Sequence, residues 1–144
     1  MLLNKMIEVI SCGGRSEIVL DNISNTSIEK SNIHGLGLFA QLVIPSHTIL
    51  CLLDGQVIRW ADYNDYLIEF PEWNALDKQT LLVRPIRTKY SFINHSREPN
   101  CSLAYYPLRV YSMFDIHPGF ELTLDYRKEP LNADYLSAFE NRYL

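Results

Sequence analysis

The chain has 144 residues, of which 47% are hydrophobic and 12% aromatic, and its formal net charge is −4. This length and apolar content predict one folded domain spanning residues 1–144 and argue against intrinsic disorder. The mildly acidic charge, without a long run of Lys or Arg, disfavours direct nucleic-acid binding and suits a basic protein or peptide partner.

The three cysteines, Cys12, Cys51 and Cys101, are far apart and form no CxxC pair. They predict neither a disulfide framework nor a metal site, and they fit a reducing compartment. The N-terminus lacks the apolar stretch of a signal peptide, and residues 49–53 are far too short a run to span a membrane. We therefore expect a soluble intracellular protein that uses no membrane and no metal: nuclear or cytoplasmic in a eukaryote, or secreted into a host cell by a bacterium.

Short β-type segments run through the chain, separated by Gly and Pro. The predicted strands cover residues 6–10, 17–20, 48–53, 56–60, 80–83, 108–114 and 121–126. Cys12-Gly13-Gly14 lies between the first two and predicts a hairpin. Asp54-Gly55 is a favoured two-residue turn and predicts a second hairpin between residues 48–53 and 56–60.

Two segments are candidates for helices. Residues 61–70 fit a short helix and a strand about equally well, because the segment is rich in aromatic residues. Residues 132–143 are the better case, since Asn132 can cap a helix whose Tyr135, Leu136, Phe139 and Tyr143 share one face. The sequence therefore predicts a mostly β domain of short strands with one C-terminal helix.

Residues 33–40 read IHGLGLFA, in which two glycines one residue apart precede an apolar segment. Gly35 and Gly37 allow a sharp turn and a close approach of backbone N–H and C=O groups to a ligand. An ordinary β-turn explains a lone G-x-G as well. No third glycine opens a helix, so a dinucleotide-binding loop is not indicated.

Residues 92–101 read FINHSREPNC, an apolar start that changes abruptly to Asn94, His95 and Ser96. If these side chains are buried, either neighbouring backbone or a ligand must satisfy them, and both alternatives stay open. Residues 119–126, GFELTLDY, alternate like a half-buried strand and end on Tyr126. Its hydroxyl points either to solvent or into a site.

Together these segments resemble the SET-domain protein lysine methyltransferases. The family's pattern has G-x-G-L-F-A, F-I-N-H-S-x-x-P-N-C and E-L-T-x-D-Y segments, and GLGLFA, FINHSREPNC and ELTLDY occur here in that order. The resemblance covers a core of about residues 28–126, with the helix of residues 132–143 as a flank. It implies several short sheets and a final strand that threads through a loop in a knot-like arrangement beside the Asn-His-Ser segment.

The resemblance also implies an activity, namely methyl transfer from S-adenosyl-L-methionine to lysine side chains of a protein, with histones among the candidates. It implies Tyr126 as the catalytic residue and a substrate channel at Leu53, Leu103 and Leu124. The implied cofactor contacts are His34, Gly35, Leu36, Gly37, Asn94, His95, Tyr126 and Tyr135.

The sequence departs from the family mainly on the substrate side. Many members carry a tyrosine where Leu53 stands and Gly-Glu where Gly55-Gln56 stands. The cysteine-rich zinc segment that often follows is missing. Its role, closing the cofactor site and channel with aromatic surface, would pass to Tyr135 and Phe139. The alternative is that their helix is an ordinary amphipathic packing helix. The alternative function is therefore a SET-like cofactor-binding or interaction module with weak or no methyltransferase activity. Substrate selection would rest on the domain itself, on a homodimer partner or on another protein.

Overall fold

The computed structural model describes residues 7–12, 14–62, 70–137 and 144. Short strands predominate in this part of the chain, with 3-10 helices at Trp60–Asp62, Lys89–Phe92 and Tyr126–Lys128 and an α-helix, α1, at Ala133–Ser137. The strands are β1 (Ile7–Cys12), β2 (Arg15–Leu20), β3 (Thr26–Lys30), β4 (Leu36–Ala40), β5 (Ile49–Leu52), β6 (Gln56–Arg59), β7 (Glu72–Ala75), β8 (Thr80–Arg84), β9 (Arg87–Thr88), β10 (Asn94–His95), β11 (Cys101–Ala104), β12 (Arg109–Ser112) and β13 (Thr123–Leu124).

The strands form small sheets of two or three strands rather than one large sheet. Their orders are β1-β2-β9, β3-β4, β10-β13, β11-β12-β5 and β6-β8-β7. The pairs β2–β9 and β10–β13 are parallel, and the other pairs in these sheets are antiparallel. The prediction of a mostly β fold with several short sheets and a C-terminal helix is confirmed. The knot-like threading stays a prediction.

The first predicted hairpin is present, since β1 and β2 pair antiparallel with Ile7 opposite Leu20. The prediction of a second hairpin, between residues 48–53 and 56–60, was wrong. Strand β5 pairs with β12, and β6 pairs with β8. Gly55 instead connects two sheets. A Cβ at this position would stand 2.5 Å from the carbonyl oxygen of Val83, and φ is +152°. Glycine is required here by close approach to β8, not by a two-residue turn.

Several strand boundaries differ from the sequence prediction. The segment 121–126 contains only β13 as a strand, because Asp125 caps a 3-10 helix by accepting a hydrogen bond from the backbone N of Arg127 at 3.1 Å. Strands β3, β7, β9, β10 and β11 were not predicted. The β7 sequence, EWNA, shows why: it buries Glu72 and Asn74, so the polar residues point inward and the usual alternation is lost.

The C-terminal helix begins where the cap predicted it. The side-chain oxygen of Asn132 accepts a hydrogen bond from the backbone N of Tyr135 at 2.8 Å, which satisfies an orphan donor of the first turn. Residues 138–143 of the predicted helix, including Phe139 and Tyr143, lie outside the described residues. Of the segment 61–70, residues 61 and 62 belong to a 3-10 helix, and residues 63–69 lie outside the described residues.

The main hydrophobic core anchors the motif segments. Phe92, Ile93, Leu38, Leu122 and Leu124 are all buried in it, so each motif contributes apolar side chains beside its polar ones. A second cluster lies under β7 and β8. No helix among the described residues has the length and apolarity needed to cross a membrane.

A buried ion pair joins β7 to β8. The Glu72 carboxylate accepts a hydrogen bond from Arg84 Nε, and the two side chains are only 1% and 8% exposed. Glu72 also accepts from the backbone N of Thr88 at 2.9 Å and from its hydroxyl. Breaking such a pair leaves a buried charge without compensation, which costs far more than losing a surface pair.

Glu72→Gln should therefore destabilise the fold strongly. The amide keeps the shape but leaves Arg84 without its anionic partner, and we expect unfolding free energy to fall by about 3–5 kcal/mol. Urea denaturation measures it. Asp62→Asn is the matched control, because its partner Arg59 lies 2.8 Å away in an exposed pair that solvent screens. Equal urea midpoints for the two variants would contradict the stabilising role of the Glu72–Arg84 pair.

Candidate active site

The first motif forms the loop between β3 and β4. Ser31 donates its backbone N–H to the carbonyl of Gly35 at 2.9 Å, and its hydroxyl accepts from the backbone N of Ile33 at 2.9 Å. Gly35 has φ +45°, a conformation that glycine adopts readily. His34 and Gly35 are exposed at the tip. The loop therefore presents backbone groups to solvent, as the G-x-G pattern predicts.

Gly37 is glycine for a different reason. A Cβ there would clash with Oε1 of Glu121 and stand 2.8 Å from its Cδ. The Glu121 carboxylate accepts hydrogen bonds from the Ser31 hydroxyl at 2.8 Å and from Asn94 Nδ2 at 2.8 Å. Glu121 thus fills the space that Gly37 leaves and ties the third motif to the first. Glu121 opens the ELTLDY motif, whose residue types alone did not predict this role.

Asn94 joins all three motif segments. Its Nδ2 lies 3.1 Å from the carbonyl oxygen of His34 and 3.2 Å from that of Leu36, in addition to its contact with Glu121. The sequence left open whether protein groups or a ligand satisfy the Asn94 side chain. For its amide nitrogen, protein groups do so. Asn94 sets the position of the glycine loop.

His95 and Tyr126 contact each other through backbone and ring. The parallel pairing of β10 with β13 sets His95 opposite Leu124, and the Tyr126 N–H then donates to His95 Nδ1 at 3.1 Å. The ring centroids are 5.3 Å apart. The Tyr126 hydroxyl donates to the carbonyl oxygen of Ile93. These contacts orient the tyrosine ring from both ends.

The charge state of His95 follows from its surroundings. Burial lowers the pKa of the imidazole, and Asp125, 3.9 Å away, only partly opposes this. The ring is therefore neutral at neutral pH, and its proton is assigned to Nε2 because Nδ1 accepts from Tyr126. A hydrogen bond from Arg127 holds the pKa of Asp125 at about 2. A neutral acceptor at His95 preserves its bond to Tyr126.

A cleft of about 190 Å³ opens beside Tyr126, and we call it the aromatic cleft. It is lined by Pro71, Glu72, Trp73, Tyr90, Ser91, Tyr126, Glu129, Leu131, Tyr135 and Leu144. Tyr135 is held against Trp73 with ring centroids 5.2 Å apart. Two of the predicted cofactor contacts, Tyr126 and Tyr135, therefore border one space. The other six do not line this cleft: four belong to the glycine loop that Asn94 contacts, and His95 contacts Tyr126.

A second, much smaller space of about 30 Å³ brings two predicted channel residues together, and we call it the leucine cavity. It is lined by Pro99, Cys101, Ser102, Leu103, Tyr105, Leu124, Asp125, Lys128 and Glu129. Leu53 is not among the lining residues of either space and is buried in the main core. Glu129, which the sequence analysis did not single out, lines both.

The described residues contain no group of three or more His, Cys, Asp or Glu side chains that could hold a metal ion. Burial raises the pKa of the Cys51 and Cys101 thiols to about 12, so neither is a thiolate at neutral pH.

A family model of the SET domain matches residues 35–127. The chain belongs to the SET-domain family. The resemblance inferred from the three motifs is confirmed, and this family includes lysine methyltransferases. Comparison with curated protein sequences gave no match.

Solved structures add a relative with the same fold. The chain is similar to KRYPTONITE in a crystal structure with mCHH DNA, an H3(1-15) peptide and SAH, at 25% sequence identity and a TM-score of 0.58. The match covers 74% of this chain and 24% of that chain. This SET-domain chain thus spans about a quarter of the length of KRYPTONITE.

Asn94→Ala should weaken cofactor binding. The change leaves the carbonyls of His34 and Leu36 and the Glu121 carboxylate without their shared donor, which loosens the loop and costs about 1–3 kcal/mol of affinity. Calorimetric titration with S-adenosylmethionine measures it. Asn32→Ala, at an exposed asparagine of the same loop, is the control. Equal affinities of the two variants would count against the assigned role of Asn94.

Proposed function

We propose that this chain is an S-adenosylmethionine-dependent protein lysine methyltransferase. The observation that carries the proposal is the convergence of three motif segments on one tyrosine. Asn94 and Glu121 hold the glycine loop, and His95 and the Ile93 carbonyl hold Tyr126 at the wall of the aromatic cleft. Membership of the SET-domain family supports the same reaction.

The residues around Tyr126 fit the cofactor. S-Adenosylmethionine would supply a methyl group on a positively charged sulfonium, and aromatic faces attract such cations. The aromatic cleft offers Trp73, Tyr90, Tyr126 and Tyr135. Its volume of about 190 Å³ is below the roughly 300 Å³ of a typical small-molecule pocket, so it would hold one part of the cofactor. The exposed backbone of the glycine loop is the natural contact for another part.

The reaction requires a neutral amine as nucleophile. A free lysine, with a pKa of about 10.4, is protonated at neutral pH and cannot attack. Desolvation beside Leu103 and Leu124 would favour the neutral form, and so would the positive charge of Lys128 in the same lining. The carboxyl groups of Asp125 and Glu129, which also line the leucine cavity, would act in the opposite direction when ionised. Tyr126 would orient donor and acceptor, since it begins the turn that lies between the two spaces.

A basic protein or peptide is the proposed substrate. The chain carries a net charge of −4, which favours association with a positively charged segment. The solved KRYPTONITE complex contains an H3(1-15) peptide, so histone H3 is the first substrate to test.

A SET-like binding module with weak or no activity is the second candidate. The observation that favours it is the size of the leucine cavity, about 30 Å³, which is close to the volume of one water molecule. A lysine side chain can enter only if this cavity widens. Under this alternative the chain binds the cofactor but transfers no methyl group.

Incubation with labelled S-adenosylmethionine and a panel of basic proteins, including histone H3, separates the two candidates. Mass spectrometry then maps label to lysine residues. Methyl-lysine in a protein substrate supports the transferase. Cofactor binding without transfer to any member of the panel supports the binding module.

Tyr126→Phe should abolish most turnover without unfolding the protein. The change keeps the ring and its contact with His95 and removes only the hydroxyl. We expect kcat to fall by about 100-fold or more, as for the loss of one positioned polar group from a transition state. Tyr111→Phe, at a half-buried tyrosine of β12, is the control. Normal turnover by the Tyr126 variant would show that its hydroxyl has no role in transfer.

The two leucines of the leucine cavity predict products beyond monomethyl-lysine. Tyr105 also lines this cavity, but its hydroxyl donates to the carbonyl oxygen of Ala75 at 3.5 Å. Leu103 and Leu124 provide no hydroxyl to hold an amine in one orientation, and they bury added methyl groups favourably. Mass spectra of a single-lysine peptide at long reaction times measure the product. Leu103→Tyr or Leu124→Tyr should shift it toward monomethyl-lysine. Monomethyl product alone from wild type, unchanged in either variant, would contradict this.

A further inference from the structure

Glu129 occupies the boundary between the two spaces of the candidate site. Glu129 lines the aromatic cleft together with Tyr126 and also the leucine cavity together with Leu103 and Leu124. Its backbone N–H donates to the carbonyl oxygen of Tyr126 at 3.2 Å, so the same short turn positions both residues. Under the proposed function, a lysine amine in the leucine cavity would approach the donor methyl past this boundary.

A buried network orients the Glu129 carboxylate. Asn74 donates from Nδ2 to Glu129 Oε1 at 3.1 Å and to the Tyr90 hydroxyl at 2.7 Å. The Asn74 side-chain oxygen accepts from Arg84, which Glu72 also binds. Asn74 is completely buried, and its amide orientation is therefore determined by Arg84. Asn74 thus holds one oxygen of the Glu129 carboxylate, in a residue that lines both spaces.

Several charged and titratable groups surround this carboxylate. The aromatic cleft also contains Glu72, Tyr90 and Tyr126, and the leucine cavity contains Tyr105, Asp125 and Lys128. Burial raises the pKa of Glu129 to about 7, with the hydrogen bond from Asn74 and the charge of Arg84 opposing it. Burial also raises the pKa values of Tyr90 and Tyr105, and the nearby Glu129 adds to both. At neutral pH Glu129 therefore exists in both protonation states, unlike the two tyrosines.

We infer that Glu129 is the proton acceptor for the substrate lysine, an inference that rests on the proposed methyl transfer. The lysine ammonium gives one proton to the Glu129 carboxylate, which forms a carboxylic acid and a neutral amine. The amine nitrogen then forms a C–N bond to the methyl as the methyl's C–S bond breaks, and that electron pair stays on sulfur. Glu129 returns its proton to water before the next cycle.

The pH dependence of kcat/KM provides the first test, because it reports ionisations of the free enzyme and free substrate. With wild type we expect a tenfold rise per pH unit below about 7 and a plateau from about 8, since Glu129 must be ionised to act. Glu129→Gln keeps an acceptor for Asn74 but cannot take a proton. Its rate should fall by about 100-fold at pH 8 and continue to rise toward the lysine pKa of about 10.4.

Two further variants complete this test. Glu129→Asp retains a carboxylate and should keep the plateau with a lower rate. Glu29→Gln removes one charge from an exposed position on β3 and should match wild type. A plateau from about pH 8 in Glu129→Gln, at the same rate as wild type, would overturn the inference.

A titration without turnover separates this inference from the proposed function. Carbon-13 NMR of labelled glutamate, assigned with Glu129→Gln, should give Glu129 a pKa near 7 in the free protein. n-Butylammonium, a stand-in for the lysine side chain, should lower it by about one unit or more by placing a cation beside the carboxylate, and n-butanol should not. An unchanged pKa in n-butylammonium would overturn the inference, even for an active enzyme. Absence of methyl transfer at every pH would instead refute the proposed function, with the titration still deciding the role of Glu129.

Discussion

The parallel pairing of Asn94 and His95 with Thr123 and Leu124 is the constraint on which the candidate site depends. Two residues of pairing are a small contact, and they are sufficient only because Ile93 and Leu124 are buried in the main core on either side. Once this register holds, the Tyr126 N–H meets His95 and the tyrosine ring is placed beside the aromatic cleft. A shift of one of these strands by one residue would turn its side chains to the opposite face and separate these groups.

The features that the sequence predicted well depend on local rules or on ordered motifs. Asn132 caps α1 through a contact three residues away, and β1 pairs with β2 across a short turn. The three motif segments were recognisable because their residue types and order are specific together. By contrast, Asp54-Gly55 looked like a hairpin turn, and only the approach of Gly55 to Val83 in another sheet reveals its role.

The features that the sequence could not predict involve polar residues brought together from distant positions. Glu72, Asn74, Arg84 and Glu129 form one buried network, although no local pattern links residue 129 to the strands β7 and β8. Strand β7 could not be predicted because it buries polar side chains, whereas hydrophobic alternation is the main signal for a half-buried strand. Glu121 and Gly37 are matched in the same way, by a contact between residues 84 positions apart in the chain.

Two polar clusters have different roles in the candidate site. In the first, the Glu121 carboxylate accepts hydrogen bonds from Ser31 and Asn94 and so fixes the backbone of the glycine loop. In the second cluster Glu72 neutralises the charge of Arg84. The neutral Asn74 amide accepts from Arg84 and donates to Glu129, so it orients the Glu129 carboxylate without placing a cation directly against it. Burial then raises the pKa of Glu129 toward neutrality, whereas a direct partner cation would have lowered it. An amide placed between an ion pair and a carboxylate thus gives an oriented group that still titrates near neutral pH, which is the property that deprotonation of a lysine requires.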